Sequence, residues 1–147
     1  EIILKKYYNI GIAVDIPEGL VVPVVKGADK KTIQQLAKEI GDLADKARQR
    51  TLDLMDMKGG TFTITNVGST GGMFSTPIIN YPEVAILAPG RIYDKVSVNT
   101  RGGIAIRKAM PLSLSFDHRV LDGAEAARFI NKVKSLLENP DFLLVEE

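Results

Sequence analysis

An α+β fold is predicted by three observations: runs with a period of two, stretches with a period of three to four, and the order in which they alternate. Strand-like alternation opens the chain, one amphipathic stretch interrupts it, several further strand-like runs follow, and a second helical stretch comes last. Groups of strands separated by helices must pair mostly non-locally, which describes a sheet with helices packed against it.

Tyr8, Ile10, Ile12 and Val14 alternate with smaller or polar residues, the period of a half-buried strand. Glu18-Gly19 turns the chain into an apolar run over residues 20–25, so the two runs form a hairpin. From Thr32, the residues Ile33, Leu36, Ile40, Leu43 and Ala47 recur at helical spacing. Thr32 with Gln35 makes a capping box, and the helix runs to about Arg50.

Gly59-Gly60 ends a polar, methionine-bearing connection. Residues 61–67 then read as a strand with Thr61, Thr63 and Thr65 along its polar face, followed by a Gly68-Ser69-Thr70-Gly71-Gly72 loop. Residues 84–88 are apolar on both faces, as in a central strand covered on both sides. Residues 91–98 and 104–106 flank a turn ending in Gly102-Gly103 and pair as a second hairpin. Leu112, Leu114 and Phe116 alternate with Ser113 and Ser115, which places His118 at the end of a strand. Ala126, Phe129, Ile130, Val133, Leu136 and Leu137 share one side of a final helix that Asn139-Pro140 closes. No repeat, low-complexity tract or linker divides residues 1–147, which read as one domain.

Nineteen basic and eighteen acidic residues leave a formal charge of +1, too little to attract nucleic acid or an anionic membrane. No apolar run approaches the roughly 20 residues of a membrane span, so a soluble protein is expected. With no cysteine and one histidine, a disulfide framework, a thiolate nucleophile and a metal site are not expected. The opening Glu1-Ile2-Ile3 is neither a signal peptide nor an initiator methionine and reads as a cut from a longer polypeptide.

His118 is the one side chain whose ordinary titration range suits proton exchange near neutral pH. Two readings stand open on local pattern: a core histidine satisfied by backbone, or an acid/base group. Its parity with Leu112, Leu114 and Phe116 points it inward if the strand persists. Asp122 with Glu125 forms a helix start, for which N-capping is a sufficient role. Gly68, Ser69, Gly71 and Gly72 can cradle a phosphate through backbone amides, although they match neither the dinucleotide nor the P-loop pattern. Thr61, Thr63 and Thr65 read as a polar strand face, or as a source of one hydroxyl for an oxyanion.

Five blocks carry a resemblance when taken in order: Asn9-Ile10-Gly11-Ile12-Ala13-Val14; Gly19-Leu20-Val21-Val22-Pro23-Val24-Val25; Gly60-Thr61-Phe62-Thr63-Ile64-Thr65-Asn66-Val67-Gly68; Pro82-Glu83-Val84-Ala85-Ile86-Leu87; and Pro111-Leu112-Ser113-Leu114-Ser115-Phe116-Asp117-His118-Arg119-Val120-Leu121-Asp122-Gly123-Ala124. Together they resemble the catalytic domain of the dihydrolipoamide acyltransferases, the core components of 2-oxo acid dehydrogenase complexes, over nearly the whole chain. The resemblance implies a chloramphenicol acetyltransferase-like sandwich, a mixed sheet with packed helices. It also implies acyl transfer between the dihydrolipoyl thiol of a swinging arm and coenzyme A. His118 matches the family's general base, and Thr65 stands where a serine hydroxyl commonly stabilises the oxyanion, with Ser69 as the nearby fallback. Asp122 matches a position that is asparagine in some relatives, and a structural role close to the site is expected. Coenzyme A contacts are expected at Gly68, Ser69, Gly71 and Gly72.

The same resemblance implies a homotrimer whose sites are shared between subunits, trimers assembled into a hollow cage, and a cytoplasmic location, or the mitochondrial matrix in a eukaryote. Its partners are a lipoyl domain and the 2-oxo acid dehydrogenase and dihydrolipoamide dehydrogenase components. The lipoyl group belongs to a separate domain. Asp45-Lys46-Ala47 resembles a lipoyl attachment tripeptide but falls inside the first helix with Ala47 on its apolar stripe, so it is not a lipoylation site. The family's catalytic domain begins several tens of residues earlier, with an arm and an arginine near the site. The alternatives are a catalytically silent assembly scaffold and a small-molecule O-acetyltransferase of the same fold. The presence of His118 disfavours the first, and the blocks at 60–68 and 115–124 disfavour the second.

Overall fold

Short strands with distant partners build the centre of the protein. The computed structural model describes residues 1–144. β1 (Ile10–Ile12), β2 (Val14–Ile16), β3 (Gly19–Val21) and β4 (Val24–Val25) precede helix α1 (Ile33–Arg48). β5 (Phe62–Ile64), β6 (Ala85–Pro89), β7 (Tyr93–Val98), β8 (Ile104–Ala109) and β9 (Leu112–Phe116) follow, and then α2 (Gly123–Glu138). A mixed sheet has the order β4-β1-β5-β6-β9: β1, β5 and β6 run parallel, while β4 and β9 are antiparallel to their neighbours. β2–β3 and β7–β8 are separate two-stranded hairpins.

The first predicted hairpin is present but bent over two sheets. Pro23 lacks an N–H, so the ladder is interrupted between β3 and β4, while the Pro23 carbonyl accepts from Ile12 N at 2.9 Å. Ala85, Ile86, Leu87 and Ala88 are all buried, as expected of a central strand. The strand predicted over residues 61–67 narrows to β5. Beyond its end Thr65 N still donates to Leu87 O at 2.9 Å and Val67 N to Pro89 O at 3.2 Å, which ties the chain to β6.

Both helices start as their sequences predict. Thr32 Oγ1 accepts from Gln35 N at 3.3 Å while Thr32 N donates to Gln35 Oε1 at 2.9 Å. Leu43 and Ala47 are the buried residues of α1. The helix stops at Arg48, two residues short of the expected end, because Arg50 adopts a φ of 60° and turns the chain away. On α2, Ala126 is buried and Ile130, Val133 and Leu136 are half-buried. Phe129 meets Phe62 with ring centroids 5.5 Å apart, yet Phe129 and Leu137 remain exposed. The apolar stripe is wider than the surface covering it: an apolar recess of about 180 Å³ opens beside Phe62, Val84, Leu114, Leu121 and Phe129. Among the described residues no helix is long and apolar enough to cross a membrane.

Candidate active site

His118 lies in the turn that joins β9 to α2. The strand ends at Phe116 because Asp117 redirects the chain. Its carbonyl accepts from Val120 N at 2.9 Å and Leu121 N at 3.0 Å, and its own N–H donates to Val84 O at 2.8 Å. Its carboxylate receives Arg119 N at 3.0 Å and the Arg119 guanidinium through Nε and Nη2 at 2.7 to 3.2 Å. The strand parity that pointed His118 inward therefore stops two residues too early. The imidazole is exposed, 5.5 Å from the Phe116 ring between centroids, and has no hydrogen bond among the described residues. That overturns the reading of His118 as a core histidine satisfied by backbone, within this chain.

The two-pronged Arg119 contact, reinforced by the Arg119 N–H, pushes the Asp117 carboxyl down to about 2 from an ordinary 3.8. A carboxyl with a lowered folded pKa contributes stability above its ordinary value and loses that contribution as pH falls through the lowered one. The turn is therefore held in the same charge state throughout the neutral range. Arg119→Ala, which removes the guanidinium but keeps the backbone N–H, is expected to raise the Asp117 titration from about 2 toward its ordinary 3.8, read from the carboxyl carbon shift in an NMR pH series. A midpoint still near 2 in that variant contradicts the pairing.

Asp122 caps α2. Its Oδ1 accepts from Glu125 N at 2.7 Å while its N–H donates to Glu125 Oε2 at 3.2 Å, a reciprocal capping box. Either aspartate or asparagine can perform this capping role. The carboxylate makes no hydrogen bond to His118.

The three threonines are not a solvated face. Thr61 Oγ1 accepts from Asn9 N and donates to Asn9 O. Thr63 is fully buried and donates to Glu83 Oε2 at 2.6 Å. Thr65 is half-buried, and its hydroxyl has no partner among the described residues. Of the three, Thr65 alone has a hydroxyl free to donate to a ligand. Glu83 is a residue that sequence reasoning missed. Burial raises its carboxyl above the ordinary range, against the lowering effect of hydrogen bonds from Thr63 and Asn80, and any side chain at Gly60 would collide with it. The signal was a lone acid between Pro82 and a wholly apolar strand.

The loop after Thr65 is engaged with itself. Gly68 N and Ser69 N both donate to Asn66 Oδ1, Gly71 N donates to Gly68 O, and Gly72 N to Val67 O. The Ser69 hydroxyl donates to Asn66 O at 3.0 Å. Those four amides therefore do not form an open phosphate cradle, and Ser69 is less available than Thr65. Gly68 serves close packing: a Cβ there would lie 2.6 Å from the Gly90 backbone.

The strand registers place the site residues. Ala85 pairs with Phe116 and Ile86 with Thr63, so the end of β9 is level with the start of β5; the turn bearing His118 leaves from that end of the sheet, and Thr65 follows the other end of β5. His118 and Thr65 thus lie toward opposite ends of the sheet.

Solved structures share this fold. Azotobacter vinelandii dihydrolipoamide acetyltransferase superposes with a TM-score of 0.91 at 46% identity, covering 95% of this chain and 57% of that one. So does the cubic core of a pyruvate dehydrogenase multienzyme complex, at the same identity, coverage and TM-score. The fold is therefore of the chloramphenicol acetyltransferase-like α+β class. A family model for the 2-oxoacid dehydrogenases acyltransferase catalytic domain matches residues 1–145, and the chain belongs to that family. The acetyltransferase component of the Bacillus subtilis pyruvate dehydrogenase complex is 51% identical over 99% of this chain, which spans 33% of that relative's length. The A. vinelandii protein has been the subject of crystallographic and enzymatic investigations on the role of a serine, a histidine and an asparagine in its catalytic mechanism. Its histidine and asparagine have the spacing of His118 and Asp122.

Proposed function

We propose that this chain is the catalytic part of an enzyme that moves an acetyl group between a dihydrolipoyl thiol and coenzyme A. The observation that carries the reading is His118, held on an exposed turn by Asp117 and Arg119 with its ring nitrogens free, in a chain of the acyltransferase family. The acetyl assignment rests on the B. subtilis and A. vinelandii relatives, both acetyltransferases.

A free thiol has a pKa of about 8.5 and is mostly protonated at neutral pH. His118 takes the proton of the coenzyme A thiol as sulfur attacks the thioester carbonyl of the acetylated lipoyl arm. The tetrahedral oxyanion then accepts a hydrogen bond from the Thr65 hydroxyl of a neighbouring copy. Collapse breaks the bond to the lipoyl sulfur, which recovers its proton from the imidazolium, and acetyl-coenzyme A leaves. Asp122 caps the helix beside the turn. The surface of Gly68, Ser69, Gly71 and Gly72 lies next to Thr65 and contacts coenzyme A by shape, since its amides are internally bonded. The placement of His118 and Thr65 toward opposite ends of the sheet supports a shared site, and the cubic core relative supports assembly of trimers into a cage. The lipoyl domain and the dehydrogenase components are the partners this role requires, in the cytoplasm or, in a eukaryote, the mitochondrial matrix.

The full-length protein is expected to transfer acetyl from acetyl-coenzyme A to dihydrolipoamide, with kcat/KM at least tenfold above succinyl and branched-chain thioesters. Preference for another thioester overturns the acetyl assignment. An assembled protein that transfers none of them is a scaffold.

A further inference from the structure

A half-buried acid at the His118 end of the sheet has no part in the steps above. Glu83 stands two residues before β6, in the segment that leads from the exposed Tyr81 into that strand. Its Oε2 accepts from the Thr63 hydroxyl at 2.6 Å, and Thr63 is fully buried on the neighbouring strand β5. That length falls in the range of the stronger, charge-assisted hydrogen bonds. Asn80 adds a second side-chain hydrogen bond, and Glu83 N donates to Asn80 O at 2.9 Å. Room for the side chain comes from Gly60, where a Cβ would collide with Glu83 Oε1. A buried hydroxyl left without its partner is costly, so Thr63 and Glu83 hold each other in place.

The next residue carries the consequence. Val84 O accepts from Asp117 N at 2.8 Å, one step beyond the last ladder pair of β6 and β9, Ala85 with Phe116. Asp117 is the residue whose carbonyl and carboxylate shape the His118 turn. Residues 80–84 lie outside any strand, so the ladder alone does not fix the Val84 carbonyl. An unbroken path of bonds runs from Thr63 through Glu83 and Val84 to Asp117. The geometry points to Glu83 as a positioning residue for His118: anchored on Thr63, it sets the Val84 carbonyl on which the His118 turn hangs. Glu83 touches no reacting atom in this role. The inference rests on the acyl-transfer reading, since it needs His118 to be the base. Misplacing a catalytic group by about 1 Å can cost about 10²-fold in rate, so a modest shift of the turn is measurable.

In the full-length protein, Glu83→Ala is expected to lower kcat for acetyl transfer about tenfold or more, with KM for coenzyme A unchanged. Hydrogen exchange in peptides spanning residues 116–121 is expected to speed up in the same variant. Glu83→Gln keeps the length and an acceptor oxygen for Thr63, and it restores both readings to near parental values. Leu43→Ala opens a cavity in the buried face of α1; it lowers the melting temperature but keeps kcat below the melt, which separates positioning from a general loss of stability. If Glu83→Ala does not fold, Thr63→Val decides: it removes the donor, keeps the β-branched shape, and is expected to move kcat and exchange in the same directions. Parental kcat in the variant that folds overturns the positioning role and leaves the acyl-transfer reading standing. Slower turnover with unchanged exchange over 116–121 overturns it as well. Full turnover in His118→Ala instead overturns the acyl-transfer reading of that residue, and the positioning role falls with it.

Discussion

Replacing His118 by alanine lowers kcat for acetyl transfer by about 10²- to 10⁴-fold, the usual worth of a positioned acid/base group, and leaves KM for coenzyme A nearly unchanged. The size of the loss follows from the chemistry. Without a base the attacking thiol stays largely protonated at neutral pH, and the departing sulfur has no nearby proton. The fold does not share in the loss. The ring is exposed and has no hydrogen bond among the described residues, so the melting transition stays within about 0.5 kcal/mol of the parent. Steady-state kinetics of the full-length protein beside a thermal melt separates the two effects. A variant that retains its kcat removes His118 from the proton path.

Thr65→Val is expected to lower kcat by about 10²- to 10³-fold, equivalent to about 2.7–4 kcal/mol, because the oxyanion loses a donor aimed at the charge that develops. Valine keeps the β-branched shape and deletes the hydroxyl. No internal acceptor is stranded, because the Thr65 hydroxyl has no partner among the described residues. Thr65→Ser restores the donor and keeps activity within tenfold. Mixing supplies a sharper measurement. Copies carrying His118→Ala and copies carrying Thr65→Val, dissociated together and reassembled in equal amounts, recover about a quarter of parental activity if each site takes one residue from each of two neighbours in a ring. No recovery means that the two side chains do not meet across an interface.

Much of the fold was legible before any coordinates, for a local reason. The capping boxes of Thr32 with Gln35 and Asp122 with Glu125 join residues three apart, so sequence spacing states the hydrogen bond directly. The apolar spacing of α1 and the unbroken apolar run of β6 report burial in the same direct way. The end of β9 was less legible. Parity carried the strand to His118, whereas the Asp117 carboxylate gathers the Arg119 backbone and guanidinium and closes a turn. An aspartate followed two residues later by arginine was the available sign, and side-chain turns of this kind compete with strand continuation. The threonines failed for another reason. Alternation assigns Thr61, Thr63 and Thr65 to one face but not what covers that face, and Glu83 lies twenty residues beyond Thr63.

From its residues alone, this chain determines an α+β domain with two capped helices, a set of paired short strands, one imidazole and a family resemblance spread over five ordered blocks. Those properties depend on contacts within a few residues or on the order of motifs, which a one-dimensional string preserves. Tertiary structure decided which hydroxyl is free, which loop amides are occupied, and at which end of the sheet each candidate stands. Pairing between distant strands fixes those relations, and a register shift of one residue would reverse every side-chain assignment. By that register His118 and Thr65 lie toward opposite ends of the sheet within one copy.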